Sequence, residues 1–339
     1  MRKGHQSWVF ERKPVIQSTA TVVGPFEGRG PLGEDFDVIH GESTLNQDSW
    51  EKAEKMLIEE AAQLAIDKSG LTKEQIQFFI AGDLMNQIVS TSFAARTLGM
   101  PYLGVFGACS TSMESLALGS LLVNAGAATD VLVGTCSHNS AVEKQFRYPT
   151  EYGSQKPPTA QYTVTGAGAA VISEQGEGPI VTSATIGRVV DMGVTDPFNM
   201  GAAMAPAAVD TIQAHFRDLQ ITPDHYDLIV TGDLSKVGHG IVCDLLEKHR
   251  IPVDLAKYWD CGMMIYDYDK QMVQAGGSGC ACCAVVTYGH LLNRMKKGEF
   301  NRILVVATGA LLSPLSYQQG ETIPCIAHAV SIERGNISG

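Results

Sequence analysis

The chain has 339 residues, of which 45% are hydrophobic, and its formal net charge is -11. This length allows a large buried core or two fused domains. The acidic balance excludes nucleic acid as an expected partner, because phosphate binding needs a basic face, and it excludes adhesion to acidic lipid by charge alone.

The segment after Met1 contains no apolar core of the kind found in signal peptides, and no later stretch is apolar enough to span a bilayer. We therefore expect a chain that is made in the cytoplasm and that could dock on a membrane protein. The eight cysteines indicate reduced thiols. Cys280 and Cys283 form a CxxC pair, but no second pair lies at zinc-site spacing, so we expect no resident metal.

The two halves of the chain repeat one order of elements. Residues 77–84 (QFFIAGDL) and 227–234 (DLIVTGDL) are short apolar runs that end in Gly-Asp-Leu, as expected of a buried strand that reaches a loop. Helical patterns precede them at 49–68 and 207–219. At Asp83 and Asp233, the default prediction is a carboxylate that caps the following helix.

Each predicted strand is followed by a second helix, which ends near Leu98 in one half and near His249 in the other, just before a proline. The first half then continues with a strand at 102–106, a small-residue turn at 107–112, a helix at 113–124 and a strand at 130–134. The second half continues with a small-residue turn at 276–280, a helix through 292 and a strand at 302–307. Residues 144–158 and 191–206 are predicted loops. The pattern indicates an α/β fold built from a fused duplication, which we divide into residues 1–178 and 179–339.

Residues 107–112 (GACSTS) place a cysteine after a buried strand and at the start of a central helix. A duplicated half with this feature resembles the thiolase and β-ketoacyl synthase superfamily, which implies two pseudo-symmetric halves in a five-layered α-β-α-β-α architecture. In that superfamily the cysteine corresponding to Cys109 accepts the acyl group. The positive end of the helix dipole is expected to favour its thiolate.

Two other catalytic motifs of that superfamily are not found. Its condensing enzymes carry His-Gln-Ala-Asn after the strand predicted at 228–231, where this chain has GDLS at 232–235. They carry Asn in a Gly-Asn-Thr-Ser stretch, where this chain has AGGSG at 275–279. The resemblance therefore predicts no turnover and a vestigial Cys109, since condensation also needs a stabilised oxyanion. A shifted alignment that uses His239 remains an alternative.

Three stretches, 24–32 (GPFEGRGPL), 106–114 (FGACSTSME) and 148–153 (YPTEYG), resemble the stage V sporulation protein AD family of spore-forming Firmicutes. That resemblance implies binding of dipicolinic acid (pyridine-2,6-dicarboxylate), with uptake into the developing spore and release at germination. It also implies peripheral attachment at the spore inner membrane through other products of the same operon, including membrane channel subunits. Calcium could travel with the ligand, no cofactor is expected, and a homodimer is possible.

Two helix N-termini, at Cys109 and at 279–280, are predicted to approach one pocket and to favour the two carboxylates through unpaired N–H groups. The predicted ligand-binding residues are Cys109, His138, Asn139, Ser235, Lys236, Gly276, Gly277 and Ser278. Lys144 and Arg147 are weaker candidates. For His138 a solvated loop histidine is the alternative, and for Lys236 an exposed lysine.

Two other functions remain open at this point. One is an active acyltransferase or β-ketoacyl synthase that uses Cys109 with His239 or His138. The other is a scaffold with a vestigial pocket that docks on membrane partners.

Overall fold

The structure is a computed structural model that describes residues 1–146 and 156–335. Its strands are β1 (Arg2–Lys3), β2 (Ser7–Val9), β3 (Val15–Val23), β4 (Val38–Ile39), β5 (Phe78–Asp83), β6 (Tyr102–Gly104), β7 (Asp130–Ser137), β8 (Tyr162–Thr163), β9 (Gly166–Ser173), β10 (Ile180–Ile186), β11 (Leu228–Thr231), β12 (Tyr258–Asp260), β13 (Gly277–Ser278), β14 (Arg302–Ala310) and β15 (Cys325–Glu333).

The α-helices are α1 (Pro25–Gly28), α2 (Trp50–Ser69), α3 (Val89–Leu98), α4 (Thr111–Ala125), α5 (Asn139–Phe146), α6 (Met200–Leu219), α7 (Ser235–Lys248), α8 (Cys261–Met264), α9 (Cys280–Val285), α10 (Leu292–Lys296) and α11 (Pro314–Gln318). A π-helical segment, Val286–Leu291, joins α9 to α10. Short 3-10 turns cover Gly33–Asp35, Lys73–Gln75, Asn86–Ile88, Pro223–His225 and Leu255–Lys257.

The predicted duplication is confirmed by the sheet topology. Strands of the first half follow the order β3-β9-β7-β5-β6, and those of the second half follow β10-β15-β14-β11-β12. Both halves also share strand directions: β5 is parallel to β6 and β7, and β11 is parallel to β12 and β14, while the remaining pairs of each order are antiparallel. One strand order with one set of directions in both halves is what a fused repeat produces.

The layers confirm the predicted α-β-α-β-α architecture. Helices α2 and α3 cover the outer face of the first sheet, α4 and α9 lie in the middle, and α6 and α7 cover the outer face of the second sheet. Helix α2 shows why such elements form: Ser49 Oγ accepts a hydrogen bond from the N–H of Lys52, Gly70 closes the C-terminus with φ +74°, and an apolar stripe is buried.

The N-terminal arm crosses between the halves. Strand β2 pairs with β10, with Trp8 opposite Ala184. The division at residue 178 therefore stays a prediction, and the first residues of the chain belong by hydrogen bonding to the second sheet.

One predicted loop is partly wrong. Residues 191–199 are irregular, but α6 begins at Met200, whereas the sequence pattern placed the start of the helix after Pro206. Proline removes one backbone hydrogen bond inside a helix. Burial of Ala203, Met204 and Ala207 on this helix keeps the first turns helical despite that loss.

The other predicted loop, 144–158, begins later than expected, because Lys144 lies within α5; residues 147–155 are outside the described part of the chain. Within the described ranges, each helix is too short or too polar to cross a membrane.

Candidate functional site

A cleft lies above the N-terminus of α4 and encloses about 410 Å³, including its open mouth. Both halves of the chain contribute to its wall, which is lined by Leu84, Phe106, Ala108, Cys109, Val142, Phe146, Thr163, Met200, Ser278, Gly279, Ala310 and Leu312.

Cys109 lies on the turn that leads into α4. Its side chain is buried, with an exposed fraction of 6%. The preceding residue, Ala108, has φ +50°, a left-handed conformation that costs a residue with a Cβ about 1–2 kcal/mol. The turn is held by its own hydroxyls: Ser110 Oγ donates to the carbonyl of Gly107 (2.6 Å), and Thr111 Oγ1 donates to that of Ala108 (2.7 Å).

Gly309 on β14 keeps room for this turn. A Cβ at position 309 would lie 2.2 Å from the carbonyl oxygen of Gly107 and 3.2 Å from the backbone nitrogen of Cys109. Both neighbours are backbone atoms, so a larger residue would displace the turn itself. The second half of the chain thus supports the position of the cysteine in the first.

Asp233 is the charged side chain that most affects the pKa of the Cys109 thiol. Its carboxylate accepts hydrogen bonds from Ser278 Oγ (2.9 Å), the N–H of Gly279 (3.1 Å) and Thr308 Oγ1 (2.7 Å). The thiol of Cys109 lies within hydrogen-bonding reach of the same carboxylate. Burial raises the pKa of Asp233 to about 6, although these donors oppose the rise.

The expectation that Cys109 is a thiolate is wrong, because this environment disfavours the charged form. Burial raises the pKa of the Cys109 thiol well above its ordinary value, and the negative charge of Asp233 raises it further. The dipole of α4 favours a thiolate by less than these two effects disfavour it. Cys109 is therefore a neutral thiol at physiological pH.

The second predicted anion site is already filled by the protein. The N-terminus of α9 points its Gly279 N–H at Asp233, so the side chain of Asp233 is the anion that this helix end binds. The default prediction for Asp233, that it caps the helix after its own strand, is wrong. Asp260 takes that role by accepting from the N–H groups of Leu234 and Ser235.

Asp83, the counterpart of Asp233 in the repeat, does cap the following helical segment. It accepts from the N–H of Met85 (2.9 Å) and from the N–H and Oγ1 of Thr91 (both 2.8 Å). The two aspartates therefore hold equivalent sequence positions with different partners.

His138 is neither a cleft residue nor a solvated loop histidine. Its ring is fully buried, Nε2 lies 2.8 Å from the carbonyl oxygen of Ser43, and Nδ1 accepts from the N–H of Ser140 (3.1 Å). Burial lowers the pKa of this imidazole, so it is neutral. His138 fixes the junction of β7 and α5, where the sequence predicted a loop.

Asn139 begins α5 and supports the cleft from behind. Its N–H donates to Thr165 Oγ1 (3.0 Å) and its Nδ2 donates to the carbonyl of Thr163 (3.3 Å), while Val142 and Phe146 of the same helix line the wall. Asn139 itself is not among the lining residues.

Ser235 and Lys236 also lie outside the cleft. Ser235 Oγ donates to the carbonyl of Gly277 (2.7 Å), and the Nζ atom of exposed Lys236 lies 3.4 Å from the ring centroid of Tyr268, a cation–π contact. Lys144 pairs with Glu51 (2.8 Å). Arg147 lies outside the described residues.

Of the glycine-rich stretch, the structure brings only Ser278 and Gly279 to the cleft. Gly276 and Gly277 pack deeper: a Cβ at Gly276 would lie 2.3 Å from the hydroxyl of Tyr268, and one at Gly277 would lie 2.7 Å from the side chain of Ile265. Their small size serves close packing here.

His239, the alternative base, stacks on Tyr258 with ring centroids 4.6 Å apart and is not among the residues that line the cleft. Sequence reasoning instead gave Asp233 a different role and missed the apolar wall. A signal for Asp233 was available, since this ionisable residue lies in the stretch 232–235 that replaces the histidine-led motif of the superfamily. In the sequence, the apolar residues of the cleft wall cannot be distinguished from residues of the hydrophobic core.

Comparison with known proteins agrees with this architecture. Solved structures that share the fold include 3-oxoacyl-[acyl-carrier-protein] synthase III from Aquifex aeolicus VF5, with a TM-score of 0.59 and 15% identity over 94% of this chain and 99% of that one. Cerulenin-bound OleA of Xanthomonas campestris matches with a TM-score of 0.63 and 14% identity, covering 96% and 100%. Human mitochondrial 3-ketoacyl-CoA thiolase, in complex with CoA, matches with a TM-score of 0.59 and 13% identity, covering 98% and 100%. At these identities the likeness establishes the thiolase-like fold.

Sequence similarity identifies the family as well as the fold. Stage V sporulation protein AD of Bacillus subtilis (strain 168) is 56% identical over 331 residues, which cover 98% of this chain and 97% of that protein. The family model described as Stage V sporulation protein AD matches residues 4–333. The chain therefore belongs to the stage V sporulation protein AD family, as its sequence motifs predicted.

Proposed function

We propose that this sporulation protein binds dipicolinic acid in the Cys109 cleft, without turnover, for uptake into the developing spore and release at germination. The observation that carries the proposal is a cleft with apolar walls and a neutral polar floor. The walls include Leu84, Val142 and Leu312, and Cys109 and Thr163 contribute to the floor. Apolar walls suit the faces of a pyridine ring, and the few polar groups can fix its orientation.

We further propose that the bound form is the neutral calcium chelate. The described residues that line the cleft include no lysine or arginine, and the carboxylate of Asp233 lies beside its floor. Two unit charges 4 Å apart interact by about 4 kcal/mol at the effective dielectric of a protein surface. A dianion therefore meets repulsion from Asp233, whereas a one-to-one complex with Ca²⁺ carries no net charge.

Acyl transfer is the competing function, and the contact between Cys109 and Asp233 is the observation in its favour. Asp233 could accept the proton of the thiol, but its pKa is about 6 and that of Cys109 is well above its ordinary value. Each pKa unit of mismatch costs about 1.4 kcal/mol. The pair is therefore poorly matched for making a thiolate, which supports binding over catalysis.

Calorimetry tests the binding proposal with dipicolinate in excess calcium, with dipicolinate in a calcium chelator, and with phthalate and isophthalate. We expect the tightest binding for dipicolinate with calcium and a clear preference over both benzene diacids. Cys109→Trp should abolish binding while the protein stays folded. Leu315→Trp, at an exposed position of α11, is the matched control. Equal affinity for all three diacids, or unchanged affinity in Cys109→Trp, contradicts the proposal.

Incubation with acyl-CoA, followed by intact-mass measurement, tests the competing function. We expect no adduct. A thioester that forms on the wild-type protein, disappears in Cys109→Ser and turns over would establish an acyltransferase instead.

We propose attachment at the spore inner membrane through membrane channel subunits of the same operon, and a homodimer. What supports a homodimer is edge strand β6, which pairs only with β5 among the described residues; Leu103 is 45% exposed there, and Phe106, just beyond it, is 47% exposed. Light scattering of the wild-type protein and of Leu103→Lys tests this contact. A dimer that becomes a monomer in the variant supports it, and a monomeric wild-type protein contradicts it.

A further inference from the structure

A second cluster of chemically reactive groups lies away from the cleft, between α2 and the first sheet. Asp83 and Cys136 are paired positions on the parallel strands β5 and β7. Glu54 reaches them from α2, and one ligand atom from each of the three lies within 4.8 Å of the others. All three side chains are fully buried.

Two polar atoms at this cluster have no hydrogen-bond partner among the described residues. Glu54 Oε2 is one, although Cys136 Sγ lies 3.9 Å from the other oxygen of the same carboxyl group. Ser90 Oγ is the second; Ser90 is only 2% exposed, and its hydroxyl lies beside the Glu54 carboxyl group without a well-aligned hydrogen bond to it. Buried polar atoms are nearly always well paired, so two poorly paired atoms at one carboxyl group indicate an absent partner.

The third side chain is already oriented for such a partner. Asp83 is held by donors from Met85, Ser90 and Thr91, which fix the position of its carboxylate. Hydrogen bonds that fix a carboxylate from behind are a regular property of metal ligands.

We propose that Glu54, Asp83 and Cys136 bind a divalent transition-metal ion of the zinc class, with Ser90 Oγ as the neighbouring oxygen donor. One thiolate and two carboxylates form a borderline-soft anionic set that suits Zn²⁺ or Co²⁺, and the thiolate disfavours Ca²⁺ and Mg²⁺. Bond lengths of about 2.0–2.3 Å require the three ligand atoms to approach one another by about 1 Å. A small adjustment of the Glu54 side chain provides that movement.

This site is independent of the proposed dipicolinate function. It does lie behind the wall of the cleft, because Leu84 follows Asp83 and lines that wall.

The test uses cobalt as a spectroscopic probe on the full-length protein, stripped with a chelator and kept free of dipicolinate, which itself binds metals. We expect one equivalent of Co²⁺ to produce a thiolate-to-cobalt charge-transfer band that Zn²⁺ abolishes. Cys136→Ser should lose the band, and Glu54→Gln should weaken cobalt binding at least about tenfold. Cys282→Ser, at a buried thiol outside the cluster, should keep both the charge-transfer band and the affinity for cobalt.

Thermal melting with and without Zn²⁺ distinguishes loss of metal binding from loss of stability in a variant. We expect Zn²⁺ to raise the melting temperature of the wild-type protein and of Cys282→Ser, but not that of Glu54→Gln, whose shape is preserved. Absence of the charge-transfer band in the wild-type protein overturns the proposal. A band of equal strength in Cys136→Ser overturns it as well.

Discussion

The carboxylate of Asp233 lies against the thiol of Cys109 and simultaneously accepts the first free N–H of α9, that of Gly279. One side chain therefore connects the reactive position of the first half to the helix end of the second. Both features expected to favour anions, the thiolate-promoting turn and the second helix N-terminus, are altered by this single acid.

Asp233→Asn should make Cys109 more reactive. Removal of the negative charge lowers the pKa of the thiol, so its alkylation by iodoacetamide near neutral pH should accelerate by at least about tenfold. Peptide mass spectrometry measures the rate at Cys109. Asp244→Asn, at an exposed position of α7, should leave that rate unchanged. An unchanged rate in Asp233→Asn would show that burial alone controls the thiol.

The same Asp233→Asn variant should bind calcium-free dipicolinate more tightly than the wild-type protein, because the repulsion from Asp233 is gone. Affinity for the calcium chelate should change much less. Calorimetry in chelator and in excess calcium measures both, and a decrease in dianion affinity would contradict the charge argument.

Gly309→Ala should destabilise the protein and impair the cleft. Its Cβ would meet the carbonyl of Gly107 at 2.2 Å, so either β14 or the Cys109 turn must shift, at a cost of about 1–3 kcal/mol. Urea unfolding measures the loss. Gly240→Ala in α7 is the control: it has open space for a Cβ and should stabilise the protein by up to about 1 kcal/mol.

Glu27→Gln should change how stability depends on pH. Burial raises the pKa of Glu27 from 4.5 to about 7, despite hydrogen bonds from Tyr266 and Thr165. Between these values the folded state holds more protons than the unfolded state, so the Glu27 contribution to the free energy of unfolding falls as pH rises. The full effect is about 3 kcal/mol.

Unfolding experiments at about pH 5 and about pH 8 check this sign. Relative to the wild-type protein, Glu27→Gln should be more stable at the higher pH than at the lower one. Glu34→Gln, at an exposed position nearby, should differ from the wild-type protein by the same free energy of unfolding at both pH values.

Phe146→Ala should speed ligand entry. Phe146 contributes a large aromatic side chain to the cleft wall, so a smaller side chain at this position widens the cleft. Stopped-flow measurement should show a larger association rate constant for calcium dipicolinate. An equal rate would place the entry barrier elsewhere in the wall.

The fold could be predicted because its determinants are local and repeated. Two copies of Gly-Asp-Leu after an apolar run mark β5 and the end of β11, and prolines mark the ends of α3 and α7. The limits of α6 could not be predicted, because Pro206 stops helices unless tertiary burial opposes it.

The site was less predictable because its contacts are distant in sequence. Ser278 and Thr308 decide the environment of Asp233, and the carbonyl of Ser43 decides that of His138. Polar composition around His138 suggested a ligand-facing loop, whereas burial under α2 assigns it a structural role. The place of Cys109, at a turn before a central helix, is by contrast visible in the sequence alone.

The pairing of β2 with β10 has a consequence for biosynthesis. The partners of Ser7–Val9, residues Ser183 to Thr185, are synthesised only after all five strands of the first sheet. Strand β2 therefore has to wait for β10, the first strand of the second sheet, before it can take its place.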